Sequence, residues 1–590
     1  MRAMTDPAAL LMKRLLRLLR WRLWVQEKMQ PTEWQMTLLW SALAGFLGAL
    51  VSLVFSGLAE DIHGFFGRAN FDVVDSMRRL PWWGCLLVPT LGGACAGLVL
   101  LYGQKLAPSQ SSTDYMEAIV IGNGRVPIRA SLVKSTAALF SIGSGGSIGR
   151  EGPMVQLAAM MASFIGRWQK FTPPQLRLIV ACGAAAGIAS AYNAPIAGSF
   201  FVAEIILGTI AMESLGPLAV SAVVATLTVR VLTAAHVLYR VPAFQLNSPW
   251  EMGPYVVLGL IAGSLAPSFL RSLRQAEFFF VGLRLPLVLR LALGGLAVGV
   301  MAINVPEVAG NGYPVVVKIL NGGLAWKVLL GIAACKWLAT MASFGSGAPG
   351  GVFTPSLFMG ASTGYLFGMA VHGVWPAGAQ DPRAFALVGM GAFLSAASHA
   401  PVMAVIMLFE MTLSYDIILP LMLCSVVAYY TAKGIVGVSL YSDSLKRKEQ
   451  NSDSAAPFAE SRVADLARTD PPVVLATARF AEIAETFLKV RVNNLYVVDE
   501  AGRFLGAVSL HDIKPYLAEP DLAGLVLARD ILHEDFPRVE SDQPLAASLD
   551  GFLGITAERL PVVDRDGKLR GSLAKSDLLL ALVEKRKRPA

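Results

Sequence analysis

The stretch Gly143-Ser144-Gly145-Gly146-Ser147-Ile148-Gly149-Arg150-Glu151-Gly152-Pro153 stands between apolar runs, and it carries two charges where a membrane segment ordinarily carries none. It has an echo. A shift of 202 positions brings Gly345-Ser346-Gly347-Ala348-Pro349-Gly350-Gly351-Val352-Phe353-Thr354-Pro355 into register, and over 134–153 against 336–355 eight positions are identical. Lys134 matches Lys336 in that window, so an intramembrane lysine repeats too. A second block follows at a shift of 206, where Gly183, Ala186, Ala191, Ala194, Pro195 and Glu204 match Gly389, Ala392, Ala397, Ala400, Pro401 and Glu410. Paired Gly/Pro-interrupted apolar segments at corresponding places in two halves mark a transport site between the halves. The chain reads as a duplicated membrane protein.

Composition agrees. Of 590 residues, 54% are hydrophobic and 16% charged, against about 25% charged in soluble domains. The runs 37–57, 84–102 and 216–237 approach or reach the roughly 20 residues that span a bilayer. Others (154–166, 195–210, 291–303) are shorter or broken by Gly and Pro, and read as half-length helices buried in protein, since broken backbone at membrane depth must not face lipid. The five cysteines lie in apolar surroundings without metal-ligand spacing, so neither a disulfide set nor a metal site is expected. Net charge is +8, and seven Lys/Arg against Asp6 and Glu27 fall in the first 31 residues. With no long apolar core after them, a basic amphipathic helix at the cytoplasmic face (1–33) is expected, not a cleaved signal peptide. A nucleic-acid arm is the rival for that charge run, and nothing else in the chain suits nucleic acid.

The membrane region spans 34–441, with halves at about 34–238 and 253–441. The repeat alone leaves open whether the halves are parallel or inverted. A polar linker (442–460) follows, carrying Lys446-Arg447-Lys448. Beyond it lies a soluble region with its own repeat: at a shift of 65, Leu495, Val497, Val498, Asp499, Gly502, Gly506 and Asp512 match Leu560, Val562, Val563, Asp564, Gly567, Gly571 and Asp577. The first copy predicts a strand over 495–499, a glycine turn, a strand over 504–509 and a helix capped near Ser509. Two such units resemble a pair of CBS domains, at 461–515 and 525–585.

The Gly-rich stretches suit an anion. Glycines permit close backbone approach, and each stretch ends in a proline suited to a helix start. The first amides of a helix lack internal partners and carry the positive end of its dipole. Two such ends meeting would bind an anion without a full cation beside it, while Lys134 and Lys336 raise the potential from a distance. The bland alternative is tight helix packing on small residues. Glu151 is the odd member, because its carboxylate can itself take the place of a transported anion, and protonation or displacement would open the site.

Gly149-Arg150-Glu151-Gly152-Pro153, Gly351-Val352-Phe353-Thr354-Pro355, Asn193-Ala194-Pro195, His399-Ala400-Pro401 and Phe409-Glu410-Met411-Thr412 together resemble the chloride channel/transporter (ClC) family, in particular its bacterial ClcB-type members. The resemblance implies an all-α polytopic fold of two inverted repeats, with the α/β CBS pair appended. It also implies a homodimer with one pore per subunit, multi-pass in the bacterial inner membrane with both termini cytoplasmic. By the family pattern Glu151 is the gate. The amides of Val352 and Phe353 and the Tyr441 hydroxyl would line a central chloride site, and the amides around Gly149, Arg150 and Gly152 an outer one. The family serine of the central site has no clear match: an ungapped match places Gln110 there, with Ser111 or Ser112 a small shift away.

Two rivals to anion transport are a CBS-bearing divalent-cation transporter, which needs oxygen ligands that are sparse here, and an intramembrane enzyme using His399 with Glu410 or Glu204. His399 mirrors Asn193 directly before Ala-Pro, which suits a helix cap better than catalysis, and no nucleophile–base set accompanies it. Proton-coupled relatives carry an inner glutamate ten residues beyond the proline of Asn-Ala-Pro; that position is Ile205, with Glu204 one residue earlier. The expectation is channel-like or weakly coupled chloride movement, the alternative a proton/chloride antiporter with a non-standard inner path through Glu204. In the CBS pair, Ser509 and Asp512 keep the family spacing for an adenine nucleotide, whereas Asp577 has Ala574 in place of the hydroxyl. One nucleotide site or none is expected.

Overall fold

The computed structural model describes residues 33–66, 72–106, 115–120, 122–233, 239, 249–375, 381–435, 462–469, 471–490, 492–517, 526–545, 559–574 and 577. They fall into two compact units that divide between Leu445 and Lys446.

In the first unit the first half runs α1 (Glu33–Phe66), a short α2 (Val73–Arg79), α3 (Trp82–Leu106), α4 (Tyr115–Val120), α5 (Ile128–Gly143), α6 (Glu151–Trp168), α7 (Pro173–Tyr192), α8 (Pro195–Phe200, continued by the π-turn Phe201–Ile206) and α9 (Met212–Thr233). The second half runs α10 (Met252–Gly282), α11 (Leu287–Asn304), α12 (Tyr313–Leu320), α13 (Trp326–Gly345), α14 (Phe353–Val374), α15 (Pro382–Ser398), α16 (Pro401–Thr412) and α17 (Ile418–Ile435). Among the described residues each helix of the first half except α2 has a counterpart, α1 with α10, α3 with α11, and so on to α9 with α17. Among the described residues eight helices (α1, α3, α7, α9, α10, α11, α13, α17) are long and apolar enough to cross a membrane. Helix α8, even with its continuation to Ile206, is too short to cross alone, as expected of 195–210, and so is α16. The run 291–303, expected to be half-length, instead lies within α11, which is long enough to cross because the helix extends to Leu287 before it.

Why the halves are inverted can be read from one helix pair. A Cβ on Gly97 would strike Val288 and one on Gly93 would strike Leu291; one on Gly295 would strike Pro89 and one on Gly299 would strike Cys85. Numbers rise along α11 as they fall along α3, so these two counterparts run antiparallel in close backbone contact. Counterpart spans of opposite direction mean that the second half enters the membrane from the other side.

Local chemistry sets the breaks between helices. Before α7, Gln175 accepts from the Thr172 amide at 3.3 Å and from its hydroxyl at 3.0 Å, with Pro173 at the first helical position. Asp381 receives the Arg383 amide at 2.9 Å before Pro382 opens α15. Both helices end in a left-handed residue, Asn193 (φ 56°) and His399 (φ 58°), and an Ala-Pro pair then starts α8 and α16. Asn193 tolerates this conformation through its short side chain, and His399 holds the same cap at its mirror position. The interior of α7 is Ala- and Gly-rich, which lets its backbone lie on α6: a Cβ on Gly183 would come within 2.7 Å of the Ala158 carbonyl. In the second half Gly364 meets the Phe385 carbonyl between α14 and α15 in the same manner.

The second unit holds two three-stranded sheets, β1 (Val473–Leu475), β2 (Asn494–Val498), β3 (Phe504–Ser509) and β4 (Val539–Glu540), β5 (Arg559–Val563), β6 (Leu569–Ala574), each with its first pair parallel and its second antiparallel. Helices α18 (Phe480–Lys489) and α19 (Leu510–Leu517) pack on the first, and α20 (Ala528–Ile531) follows. The expected strand–turn–strand–helix order is present in copy one, with its first strand a residue earlier. The two glycine turns join reciprocally, the Phe504 amide donating to the Gly567 carbonyl (2.9 Å) and the Leu569 amide to the Gly502 carbonyl (3.0 Å). Each copy also lends a segment to the other. Val463 packs in the core of the second sheet, and Arg468 pairs with Ser572 of β6; His533 pairs with Ala507 of β3. The lead-in to copy one therefore completes copy two, an exchange the repeat spacing alone does not reveal.

Candidate anion site

The two Gly-rich stretches meet at their ends. The Gly149 amide donates to the Gly351 carbonyl at 2.7 Å, and the Gly351 amide to the Gly149 carbonyl at 2.9 Å. These residues are 202 apart, so this two-bond antiparallel bridge joins matching points of the halves. Directly after it start α6, with Glu151 as its first residue, and α14, with Phe353 as its first.

Glu151 is 4% exposed. Its side chain crosses to the other half and sits on the start of α14: Oε1 accepts from the Phe353 amide (2.9 Å) and the Thr354 amide (3.2 Å), and Oε2 from the Thr354 hydroxyl (3.1 Å). The Tyr192 hydroxyl lies 3.0 Å from that of Thr354, and its ring packs on Phe353. A carboxylate thus fills a helix N-terminus that offers two amides and a hydroxyl to an anion.

Two further carboxylates do the same at the outer helices. Glu204, on the π-turn after α8, accepts from the Val402 amide (3.3 Å) and the Met403 amide (2.7 Å) at the start of α16. Glu410, on α16, accepts from the Ile196 amide (3.0 Å) and the Ala197 amide (2.7 Å) at the start of α8. The pattern is reciprocal, one glutamate of each half capping the matching helix of the other. Sequence matching paired Glu204 with Glu410; their mutual exchange across the halves was not foreseen.

A family model described as voltage gated chloride channel matches residues 92–433, and CBS domain models match 463–519 and 528–584. A ClcB-like chloride channel protein of Ralstonia nicotianae is 48% identical over 415 residues, 70% of this chain and 97% of that protein. The voltage-gated ClC-type chloride channel ClcB of Escherichia coli is 40% identical over 415 residues, covering 69% and 94%. The chain belongs to the voltage-gated chloride channel (ClC) family. The fold agrees: a slow cyanobacterial Cl−/H+ antiporter aligns with TM-score 0.63 at 24% identity over 71% of this chain and 99% of that one. A eukaryotic CLC transporter aligns with TM-score 0.60 at 18% identity, covering 92% and 97%. This is a multi-pass membrane protein of the ClC fold with a C-terminal CBS pair.

One face of α13 holds the first Gly-rich stretch of this ClC unit. Thr340 Oγ1 lies 3.1 Å from Ser147 Oγ, and Ser343 Oγ accepts the Ser147 amide at 3.0 Å. Lys336, a turn earlier on the same face, is fully buried, and its Nζ donates to the carbonyls of Val308 (2.8 Å) and Gly310 (2.6 Å). The Gly310 amide in turn donates to the Gly145 carbonyl at 3.0 Å. Lys336 is therefore a strut that fixes the loop under the site, a more local role than the distant potential expected of it. Lys134, its counterpart, is half-buried on α5.

The amides that reach Glu151 are those of Phe353 and Thr354, the first of which is also one of the two amides expected at the central chloride site. Of the expected outer set, Gly149 has its amide engaged in the bridge. Thr354 and Tyr192 were missed, although Thr354 directly follows Phe353 in the quoted motif. Gln110, Ser111, Ser112 and Tyr441 lie outside the described residues.

In the CBS pair, Ser509 and Asp512 form a helix cap. Asp512 accepts from the Ser509 amide (2.9 Å) and hydroxyl (2.7 Å), with His533 Nε2 at 3.0 Å. Burial alone would raise the Asp512 carboxyl, but the Ser509 hydrogen bonds and His533 hold it below the usual range. Its contribution to stability is thus present above the ordinary carboxylate pKa and is lost as pH falls through the depressed one. Asp577 is held by both nitrogens of a fork, Arg468 Nε and Nη2, at 2.7 Å each.

Proposed function

We propose that the protein moves chloride across the membrane through a ClC-type path gated by Glu151. The observation that carries this is the Glu151 carboxylate seated on the Phe353 and Thr354 amides. An anion of the protein holds a seat built for anions, and a chloride ion competes for it only when the carboxylate is protonated or swung aside. A neutral carboxyl accepts hydrogen bonds more weakly than a carboxylate, so acidification releases the seat. Arg150 and Gly152 border the outer approach. The working unit is a homodimer in the inner membrane with cytoplasmic termini, as the family resemblance implies. Chloride efflux from vesicles carrying the purified chain tests transport directly; flux no greater than in empty vesicles defeats the proposal.

Movement is channel-like or weakly coupled to protons. Ile205 cannot carry a proton, and the Glu204 carboxylate is engaged by two amides of α16, which is the setting of a cap. A chloride gradient alone is expected to drive no steady uphill proton movement. Glu204→Gln, which removes charge from a partly buried helix start, is expected to lower stability by about 1–2 kcal/mol without changing the proton-to-chloride ratio. Uphill proton transport that Glu204→Gln abolishes would instead make Glu204 a relay.

For the CBS pair we propose at most one adenine nucleotide per chain, in copy one. Copy two lacks the hydroxyl at Ala574, and its Asp577 is claimed by Arg468. Calorimetry of the full chain with ATP, ADP and AMP is expected to give a stoichiometry no higher than one, and any binding should be lost in Asp512→Ala and kept in Asp577→Ala. Two nucleotides per chain, or loss in the second variant, contradicts this.

A further inference from the structure

The outer wall of the second half carries a groove that neither chloride transport nor the CBS pair uses. A cavity of about 700 Å³ lies among α10, α13 and α14, bordered by Leu265, Ala334, Trp337, Leu338 and Phe367. A second, of about 310 Å³, lies between α10 and α13, bordered by Gln275, Phe279, Met341 and again Leu338. Leu338 joins the two into one groove. It follows α10 from Ile261 to Phe280, about 28 Å at 1.5 Å per residue, against a hydrocarbon core of roughly 30 Å. Both walls are helices apolar enough to span the bilayer, so the solvent facing the groove is lipid.

The two ends differ in chemistry. The end near Ile261 is mostly aliphatic and aromatic, with Ser362 and Thr363 of α14 as its polar members. At the other end, exposed Phe279 borders the second cavity, and beyond Phe280 come exposed Val281 and then Arg284, exposed and in a left-handed conformation (φ 51°). Arg290 lies there too. Ala342 borders the second cavity, and the carbonyl of Ser346, one turn further along α13, receives Arg290 Nε at 2.9 Å. Among the described residues neither Arg284 nor Arg290 is paired with a carboxylate; the half-buried Glu277 is the opposing charge on this part of α10. An apolar trough with one arginine just past the end of α10 and a second, on α11, bonded to the end of α13 is complementary to a lipid with an anionic head, as basic pockets between membrane helices generally are.

We propose that this groove holds one anionic phospholipid, its tail between α10 and α13 and its phosphate at Arg284 and Arg290. The bound tail would lie on the side of α13 away from Lys336, Thr340 and Ser343, and so would brace the helix that fixes the first Gly-rich stretch. The test is native mass spectrometry of the full chain released from detergent with equal amounts of phosphatidylglycerol and phosphatidylcholine. Wild type is expected to retain phosphatidylglycerol in preference. Arg284→Gln and Ala334→Trp, which places an indole in the exposed mouth of the groove, should each reduce retention several-fold. Arg290→Lys should keep it. Arg271→Gln is the control: this exposed arginine of α10 is turned to the Ile435 carbonyl (3.1 Å), and its loss should change nothing. Equal retention of both lipids, no retained lipid, or retention that Ala334→Trp leaves at the wild-type level would each overturn the proposal.

Discussion

Chloride flux through Glu151→Ala is expected to be nearly independent of pH and, at neutral pH, about tenfold or more above wild type. The size follows from what would hold the proposed gate shut. Hydrogen bonds to a charged group contribute roughly 1.5–3 kcal/mol each, and every 1.4 kcal/mol is a factor of ten. The Glu151 carboxylate has two amides and a hydroxyl to leave before chloride can enter. Glu151→Gln should move in the same direction but less far, because its amide oxygen can still accept from Phe353 while its NH₂ cannot replace Oε2 as an acceptor. Glu151→Asp, shorter by one methylene, should fall between wild type and alanine. Efflux measured across pH 4–8 distinguishes these cases. A Glu151→Ala protein whose flux keeps the wild-type pH profile would remove Glu151 from the gate.

The second large effect comes from a methyl group. A Cβ on Gly351 would lie 2.4 Å from Glu151 Oε1 and 2.6 Å from its Cδ; on Gly149 it would lie 2.0 Å from Oε2. In both cases the obstructed atoms are the free end of a flexible side chain, which can move, whereas the bridge backbone can stay. Gly351→Ala is therefore expected to evict the carboxylate and make flux insensitive to pH, like Glu151→Ala. Its absolute rate should be lower, because the methyl stands where the anion would pass. Gly152→Ala is the contrast: its Cβ would meet nothing nearer than 3.5 Å, and wild-type behaviour is expected. A Gly351→Ala protein with an unchanged pH profile, or a Gly152→Ala protein that loses it, would show that the carboxylate does not occupy the seat described.

How far could residues alone lead to this account? The duplicated Gly-Ser-Gly…Gly…Pro pattern pointed to the two helix starts that meet and singled out Glu151, because both depend on local chemistry: helix starts, glycine freedom and a stray charge in an apolar run. Orientation of the halves needed the antiparallel contact of α3 with α11, a long-range fact with no local signature. Glu204 and Glu410 show the same limit. Their matching positions were visible, yet the cap each provides is on the other half, roughly 200 residues away. Lys336 appeared as a source of potential because its charge is what sequence displays; the carbonyls of Val308 and Gly310 that fix it are backbone groups of a loop without a motif. In the CBS pair, Ser509 and Asp512 have a spacing shared by nucleotide contact and helix capping, and spacing cannot separate two uses of the same geometry. Arg468, which claims Asp577, lies over 100 residues upstream and comes from the lead-in to the other copy.

The central claim is that the Phe353 and Thr354 amides form an anion seat that Glu151 occupies. Bromide, an anomalous scatterer, reports it directly in crystals of wild type and Glu151→Ala soaked under identical conditions. Expected is a bromide peak within hydrogen-bonding distance of both amides in the variant, and none there in wild type at neutral pH. A variant whose amides stay empty while bromide binds elsewhere, or a wild type with bromide already on them beside the carboxylate, would contradict it.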